Sequence, residues 1–479
     1  MQIVSLPHPT PKDLRSELEI CFEHQRKAYL AQPAPTYYER KADLLTLQRF
    51  VRDYKEDIIA AINADYGHRS THETLMAEIS PVLGGIESTL ANLKKWMRPQ
   101  KREVDIRTFL GAVNKVIPQP LGVVGVIVPW NFPLNLSLMP LTEIFAAGNR
   151  AMIKMSENSR HLAKLMIKAL PSYFPRDKVA IFDEVGGVGI EFSKIPFDHL
   201  IFTGSGQTGR AVMAAAAQNL TPVTLELGGK SPAIVLDDYP LQKAAERIMF
   251  VKCMNAGQIC TNVDNLWLPE GSTDEFVEHA KKAVTTYYPK KSSVDYTAII
   301  DEKSFKRLTN ALISAKAAGA TLIQLIPGER WNAKSRKICP HIVLNLPEDH
   351  ELLTREIFGP ILPVREYHRL EHVINYINER PRPLAFYPFS YDEQAIQMLI
   401  DRVMTGGVSV NDALFHVGQH DLPFGGVGAS GMGHYHGYEG FLTFSKMRPV
   451  FYQADISSTK LLYPPYGQLA TKVLGFLTK

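Results

Sequence analysis

The pattern of hydrophobic residues changes along the chain, from helical spacing in the first hundred residues to strand-like segments that alternate with helices. Residues 12–66 and 78–101 repeat apolar positions at helical spacing, which predicts a mostly helical N-terminal region. From Gly122 the run GVVGVIVPW is almost continuously apolar, as is typical of a buried strand, and a helix through LTEIFAAGN and a second strand, AMIKM, follow. The segments KVAIFDEV, GVGIEFSKI and HLIFTG continue this alternation. Strands alternating with helices predict a parallel sheet that binds ligands at the carboxyl ends of its strands.

A second α/β region and a separate hairpin are also predicted. After residue 230 the strand-like segments PAIVLDD, LWLPE, TLIQLI and HIVLNL appear, which indicates a second α/β domain. Residues 102–120 alternate polar and apolar positions outside either sheet. The edge of such a segment needs a hydrogen-bonding partner, so we expect it to pair with another subunit.

Composition excludes several classes of protein. Of the 479 residues, 45% are hydrophobic and 21% are charged, which is typical of globular proteins. The net charge is only +4 and no basic stripe is present, so nucleic acid is not an expected partner. The four cysteines form no CxxC pair, no apolar run is long enough to span a membrane, and the N-terminus lacks the pattern of a secretory signal. These features predict a cytoplasmic protein.

The segment HLIFTGSGQTGRAVMAAAA contains Gly204, Gly206 and Gly209, a GxGxxG pattern between a predicted strand and a predicted helix. Glycines at this position let a pyrophosphate approach the backbone, and the helix start offers free N–H groups. The alternative is a strand-to-helix turn that merely needs glycine. Glu226 follows at about the distance of a ribose-binding acid, but its apolar neighbours would raise its pKa towards that of a general base. A structural ion pair is the third interpretation.

Cys260 lies in the polar run NAGQICTNVDN, which suits an approachable nucleophile better than a core residue. Cys253, beside Phe250 and Met254, is predicted to pack in the core. In PWNFP, Asn131 follows a buried strand, where its amide could donate to an oxyanion or simply form a turn. The histidines near the C-terminus lie in predicted loops, so no metal site is predicted.

Six motifs, PWNFP, FTGSGQTG, LELGGKSP, NAGQIC, EIFGP and PFGGVGASGMG, occur between Pro129 and Gly433 in an order and spacing that resemble the NAD(P)-dependent aldehyde dehydrogenase superfamily. The ending LPFGGVGASGMGHYHGYEGFLTFSK resembles the class 3 branch, and within it the coniferyl aldehyde dehydrogenases. This resemblance implies an α/β fold with a Rossmann-type cofactor domain, an α/β catalytic domain and a bridging hairpin for oligomerisation. The chain is divided accordingly into a cofactor domain, a catalytic domain, bridging segments and a tail, at residues 1–101 with 121–227, 228–411, 102–120 with 412–450, and 451–479.

The resemblance also implies the roles of single residues. Cys260 matches the nucleophile, Glu226 the base that activates the deacylating water, and Asn131 the oxyanion donor. The implied cofactor ligands are Lys154 and Glu157 for the adenosine ribose, Gly204, Ser205, Gly206 and Gly209 near the pyrophosphate, Glu356 for the nicotinamide ribose, and Phe358 beside the nicotinamide. Glu157 thereby takes the ribose-binding role, which leaves the general-base role for Glu226.

Two positions depart from the family pattern, because Met155 stands where the family commonly has Pro, and Arg355 where it has a second acid. Neither position touches the reacting groups, but both bear on cofactor geometry.

The implied reaction is oxidation of an aldehyde, either aromatic or medium-chain aliphatic, to the acid. NAD is the expected cofactor and NADP the less favoured one, because the Glu157 carboxylate would repel a 2′-phosphate. Three alternatives stay open: a cysteine hydrolase, a catalytically silent nucleotide-binding protein, and a dehydrogenase that passes its thioester to coenzyme A.

Class 3 relatives are dimers, and we expect a homodimer here as well. The tail after residue 451 is amphipathic and could lie on its own protein, on a membrane surface or on a partner subunit. In the last case its apolar residues would cover the partner: Leu469, Val473, Leu474 and Phe476.

Overall fold

The computed structural model describes residues 11–106, 108–290, 293–457, 459–460 and 463–478. Most of the segment on which the secretory-signal prediction depends, residues 1–10, lies outside this part of the chain. The α-helices are α1 Pro11–Ala31, α2 Tyr37–Asp53, α3 Lys55–Tyr66, α4 Thr71–Thr74, α5 Ser80–Trp96, α6 Asn135–Ala147, α7 Arg160–Ala169, α8 Val188–Phe192, α9 Gly206–Ala217, α10 Leu241–Cys253, α11 Thr273–Tyr287, α12 Glu302–Ala317, α13 Glu351–Thr354, α14 Leu370–Asn378, α15 Glu393–Arg402, α16 Gly437–Thr443 and α17 Gln468–Leu477.

The strands are β1 Gln100–Arg102, β2 Val113–Pro120, β3 Val123–Ile127, β4 Arg150–Lys154, β5 Val179–Phe182, β6 His199–Thr203, β7 Val223–Glu226, β8 Pro232–Val235, β9 Asn265–Pro269, β10 Thr321–Gln324, β11 Trp331–Asn332, β12 Lys337–Ile338, β13 His341–Leu344, β14 Ile361–Tyr367, β15 Ala385–Phe389, β16 Gly407–Val408, β17 Gly431–Met432 and β18 Ser445–Tyr452. A π-helical turn spans Leu75–Ile79, and 3₁₀ turns span Leu170–Ser172, Met254–Gly257 and Phe415–Gly418.

The first sheet has the strand order β17-β7-β6-β3-β4-β5 and is parallel except for β17. Its central strands β3 and β6 are buried along their whole length because helices cover both faces, which explains their continuously apolar sequences. The chain adds β4 and β5 on one side of β3, then returns to add β6 and β7 on the other. The strand order therefore switches between β3 and β6, which is where doubly wound sheets open a ligand crevice.

The second sheet has the order β10-β13-β14-β9-β8-β15-β16 and is parallel except for β10. Its core is a separate cluster of buried side chains that includes those of α10 and α12. The predicted α/β architecture, with a Rossmann-type half and a second α/β half, is confirmed. The exact domain boundaries stay a prediction.

Strands β1, β2 and β18 form a three-stranded antiparallel sheet outside the two larger ones. The predicted hairpin is present, since β1 pairs with β2, although the helix expected to continue to residue 101 ends at Trp96. All eight residues of β2 pair with β18 of the same chain, from Val113 with Tyr452 to Pro120 with Ser445. The edge hydrogen bonds that we expected another subunit to supply are therefore made by β18, which lies far away in the sequence, and pairing with another subunit stays a prediction.

The tail forms the short helix α17, on which Leu469 and Phe476 are exposed. Among the described residues, no helix has both the length and the apolar character needed to cross a bilayer.

Candidate functional site

The predicted site residues of the first sheet follow the carboxyl ends of four adjacent strands. Glu226 ends β7, Gly204 follows β6, Asn131 follows β3, and Lys154 ends β4. The backbone N–H of Gly204 donates to the Glu226 carbonyl at 3.0 Å, which ties the glycine turn to the strand of the candidate base. The strand order thus brings together residues that lie far apart in the sequence, beside the switch point between β3 and β6.

Asn131 is buried, and its backbone carbonyl anchors the turn after β3. This carbonyl accepts hydrogen bonds from the Tyr66 hydroxyl at 3.0 Å, from Arg69 Nη1 at 2.9 Å and from Asn255 Nδ2 at 3.3 Å. The Asn131 side-chain amide points towards the loop of the candidate nucleophile, with Nδ2 at 3.4 Å from the carbonyl oxygen of Gln258. Tyr66 and Arg69 could not be identified from the sequence, because both lie in the predominantly helical N-terminal region, far along the chain from the PWNFP motif.

The loop before Cys260 has an uncommon backbone. Asn255, Ala256 and Gly257 all have positive φ, of 51°, 50° and 76°, and the first two carry side chains that disfavour this region. Glu73 stabilises the loop by accepting the Asn255 N–H at 3.0 Å. A side chain at Gly257 is impossible, because its Cβ would lie 2.3 Å from the Gly359 carbonyl oxygen. The loop is therefore held in one geometry against the EIFGP segment.

Cys260 as a residue is half-buried, and the surroundings of its thiol disfavour a thiolate. Burial, followed by the negative charges of Glu356 and Glu226, raises its pKa to about 12. The backbone N–H groups of Cys260 and Thr261 oppose this by favouring the thiolate. Loss of the thiol proton must therefore be coupled to a neighbouring acceptor or to a change in nearby charge.

Glu226 has the surroundings that its sequence predicted. It is 1% exposed, and neither carboxylate oxygen has a hydrogen-bond partner among the residues that the structure describes. Burial raises its pKa well above the usual value of a carboxyl group. The ion-pair interpretation of Glu226 finds no support in this environment.

Glu356 is positioned by a second loop. Lys230 and Asp264 form an ion pair, and Asp264 Oδ2 accepts the Ile357 N–H at 2.9 Å. Burial raises the pKa of Glu356 to about 8, with a further contribution from the charge of Asp264. Next to it, Phe358 has a φ of 51° and packs edge-on against the Trp130 ring, with 5.3 Å between the centroids.

The proposed cofactor residues fit a nucleotide. Ser205 caps α9 by accepting the Thr208 N–H at 3.2 Å, and its side chain is exposed. A Cβ at Gly209 would meet Leu227 Cδ2 at 2.8 Å, and one at Gly228 would lie 2.3 Å from both oxygens of Glu356. Close packing of a glycine-containing helix start against the sheet, with free backbone N–H groups at that end, is a feature of dinucleotide sites.

The carboxyl end of β4, where the resemblance places the adenosine ribose, holds a contact that the sequence did not reveal. Lys154 is buried and forms an ion pair with Glu184, whereas Glu157 is exposed. Glu184 follows β5, the neighbour of β4 in the sheet. Two carboxylates and one neutralised lysine therefore lie at the ends of these strands.

An apolar cavity opens next to Cys260. Its lining includes Phe132, Met254, Ile259 and Thr261, which flank the sequence motifs, together with further side chains from the C-terminal part of the chain: Leu414, Phe415, Val417, Phe424, Tyr435 and His436. Phe250 precedes the Cys260 loop but is absent from the lining. It stacks behind Phe415 instead, with 6.3 Å between the ring centroids and 11° between the planes.

Tyr435 is one of several residues of this wall that the sequence did not identify. Its hydroxyl is buried without a hydrogen-bond partner in the described part of the chain, and its pKa is raised by burial and by the charges of Glu226 and Cys260. Across the described ranges, no group of three or more His, Cys, Asp or Glu side chains is arranged to hold a metal ion.

Comparison with known proteins identifies the family. The chain matches the aldehyde dehydrogenase family over residues 9–450, and it belongs to that family. It is 48% identical over 460 residues to a probable coniferyl aldehyde dehydrogenase of Pseudomonas aeruginosa, with 96% of each chain covered. It is 40% identical to aldehyde dehydrogenase family 3 member A2 of Rattus norvegicus, over 90% of this chain and 87% of that one.

Among solved structures, the substrate-bound state of Staphylococcus aureus AldH superimposes with a TM-score of 0.91 and 32% identity, over 96% of this chain and 99% of that one. The resemblance to class 3 and coniferyl aldehyde dehydrogenases is confirmed. The protein is an oxidoreductase that oxidises aldehydes with NAD(P).

Proposed function

We propose that Cys260, Glu226 and Asn131 carry out the oxidation of an aromatic aldehyde, with NAD as the preferred cofactor. The observation that carries this proposal is the buried Glu226 carboxyl, which has two oxygens without partners in the described residues and contributes to the electrostatics of the Cys260 thiol. A group that accepts protons and is not tied into an ion pair is what thioester hydrolysis requires.

In the proposed first half-reaction, the Cys260 sulfur attacks the aldehyde carbon as its proton passes to a neighbouring acceptor. The carbonyl oxygen becomes an oxyanion, which accepts hydrogen bonds from the Asn131 amide and the Cys260 N–H. A bound NAD(P), with its nicotinamide ribose held by Glu356 and its ring beside Phe358, would supply the two-electron oxidant by accepting a hydride from this carbon. Loss of that hydride would convert the tetrahedral adduct on Cys260 into the thioester.

In the second half-reaction, Glu226 removes a proton from a water molecule, which attacks the thioester carbon. The carbon–sulfur bond breaks, the acid is released, and the Cys260 sulfur regains a proton. Glu226 suits this role because its raised pKa makes it a stronger base than an ordinary carboxylate. Its presence favours water over coenzyme A as the acceptor.

An aromatic substrate is supported by the lining of the cavity. Phe132, Phe424 and the ring of Tyr435 would pack on the faces or edges of a planar substrate, and Met254 and Leu414 would fill the gaps around it. The relatives of this chain include enzymes named for coniferyl aldehyde. A cinnamyl-type aldehyde is therefore the first candidate, ahead of medium-chain aliphatic aldehydes.

The preference for NAD is supported by the charges around β4. Lys154 is neutralised by Glu184, so it would offset little of the repulsion between Glu157 and a 2′-phosphate. With NAD, the carboxylate oxygens of Glu157 would instead accept hydrogen bonds from the ribose hydroxyl groups.

A homodimer is supported by the family resemblance and by the exposed apolar side chains of α17 and β18, which include Phe451, Tyr452 and Phe476. The pairing of β2 with β18 moves the open sheet edge from residues 102–120 to the outer side of β18.

The experiment that tests the proposal measures NADH formation across benzylic, cinnamyl and aliphatic aldehydes, together with the Cys260→Ala variant. We expect the highest kcat/KM with a cinnamyl aldehyde and no turnover by the variant. If the protein hydrolyses an activated ester without a nicotinamide cofactor and does not oxidise any aldehyde, the result favours the cysteine hydrolase instead. If the Cys260→Ala variant still binds the cofactor and also retains turnover, Cys260 is excluded as the nucleophile.

A further inference from the structure

The Asn131 turn rests on a buried ion pair that no catalytic role accounts for. Arg69 is 2% exposed and Glu78 is fully buried, and Arg69 Nη1 lies 3.0 Å from Glu78 Oε1. Replacing such a pair with apolar residues often costs no stability, so its presence calls for another explanation. A role in fixing the geometry of a neighbouring group would provide one.

The contacts of this pair converge on the turn that carries Asn131. The same Nη1 atom of Arg69 donates to the Asn131 carbonyl at 2.9 Å. Glu78 Oε2 accepts the backbone N–H groups of Leu134 at 3.0 Å and of Asn135 at 2.9 Å. The ion pair therefore holds the PWNFP motif at its central residue, Asn131, and directly after its last residue.

The guanidinium of Arg69 forms no further side-chain hydrogen bond with the described residues. Its Nε and Nη2 atoms have no hydrogen-bond partner in the described ranges of the chain. Its planar group lies between the rings of Tyr66 and Phe132, at 4.9 and 5.0 Å from the centroids. Because the hydrogen bonds of the guanidinium go to Glu78 and Asn131, a change at Arg69 acts first on the turn.

We propose that Arg69, held by Glu78, is a positioning residue that fixes the Asn131 amide for the oxyanion. This inference rests on the proposed role of Asn131. Tyr66 and Asn255 donate to the same carbonyl, and Asn255 Nδ2 also reaches the Gln258 carbonyl at 3.1 Å. The network thereby sets the distance between the donor turn and the nucleophile loop. An oxyanion donor that is misplaced by about 1 Å loses much of its effect, about 100-fold in rate.

The test is a double-mutant cycle on the rate of the NADH burst in rapid mixing, measured with the full-length enzyme. We expect Arg69→Met to slow the burst by about 10-fold to 100-fold and Arg69→Lys to slow it less, because lysine restores a cationic donor. In the Asn131→Ala background, Arg69→Met should slow the burst by no more than about twofold, since the group that it positions is gone. NADH binding, followed by fluorescence, should stay within about threefold of the parent enzyme in each variant.

Arg40→Lys is the matched control. Arg40 is likewise buried and donates to backbone carbonyls, those of Pro35 and Ala146 at 3.0 Å, but it is remote from the Asn131 turn. We expect its burst rate to be unchanged. If Arg69→Met prevents folding, Tyr66→Phe removes another donor to the same carbonyl while keeping the buried ring. Its burst should slow by about threefold to tenfold, and only when Asn131 is present.

The outcomes separate the two proposals. The inference is overturned if the Arg69 or Tyr66 substitution slows the burst equally in the parent enzyme and in the Asn131→Ala background. It is also overturned if NADH binding is lost together with the burst, because either result would mean that the network has only a structural role. A normal burst in the single Asn131→Ala variant would instead overturn the proposed role of Asn131 itself.

Discussion

Replacing Glu226 with Gln is the sharpest perturbation of the proposed chemistry. Glutamine keeps the shape of the side chain but cannot accept a proton, and Glu226 has no ion pair that the change would break in the described structure. We expect the fold to be retained and deacylation to slow by about 10² to 10⁴, the usual contribution of a general base. At 1.36 kcal/mol for each factor of ten, this corresponds to about 2.7 to 5.4 kcal/mol of transition-state stabilisation.

Rapid mixing separates the two half-reactions. The variant should form one equivalent of NADH per active site in a burst and then stall. In the parent enzyme, deacylation should fall as the pH drops through the raised pKa of Glu226, because the protonated carboxyl cannot act as a base. This acid limb should disappear in the variant.

The same substitution should lower the pKa of Cys260, because the charge of Glu226 helps to raise it. The pH profile of thiol alkylation by iodoacetamide should therefore shift to lower pH. Glu143→Gln is a suitable control, since Glu143 is also buried but bonds to Thr89 at 3.1 Å instead of facing the thiol. A first turnover slowed as much as the steady state would refute the assignment of Glu226 to deacylation alone.

Four further predictions concern other parts of the molecule. Cys260→Ala should abolish dehydrogenase activity while Cys253→Ala, a fully buried thiol, leaves kcat within about twofold; equal losses in kinetic assays would mean that the wrong thiol was chosen. Glu157→Gln should narrow the NAD to NADP ratio of kcat/KM by roughly 10-fold, and an unchanged ratio would place Glu157 away from the ribose. Burial raises the pKa of Glu143 from 4.5 to about 8, so its stabilisation is complete below pH 4.5 and is lost as the pH rises through about 8. Glu143→Gln should accordingly raise stability by about 1 to 3 kcal/mol above pH 8 and change it little at pH 4.5, which thermal unfolding at both pH values would check. Light scattering at micromolar concentration should give twice the mass of one chain, and a fully active monomer would contradict the dimer.

The sequence predicted those features that depend on local patterns. Strands β3 and β6 are buried on both faces, so their apolar runs identified them without knowledge of their neighbours. Glu226 was recognisable because its flanking leucines already implied a desolvated carboxyl, and the structure bears out that environment. The polar surroundings of Cys260 were local in the same way.

Features that depend on contacts between distant segments escaped prediction. The neutralisation of Lys154 by Glu184 requires knowing that β4 and β5 are neighbours in the sheet. The positive φ of Ala256 opposes local preference and persists because Glu73 holds the adjacent residue. The Arg69–Glu78 pair lies in a region whose helical period gave no indication of its proximity to the Asn131 turn.

The pairing of β18 with β2 has a consequence for synthesis of the chain. Strand β2 leaves the ribosome long before its partner, so its unpaired edge stays exposed while most of the protein is being made. The same late segment supplies Tyr435 and His436 to the cavity wall and places β17 beside Glu226. A nascent chain that ends before residue 424 therefore contains strands β3 to β7 of the first sheet but lacks the part of the cavity wall that Phe424, Tyr435 and His436 form beside Cys260. Such an arrested chain would lack part of the cavity wall beside Cys260 and would expose the unpaired edge of β2 to chaperones.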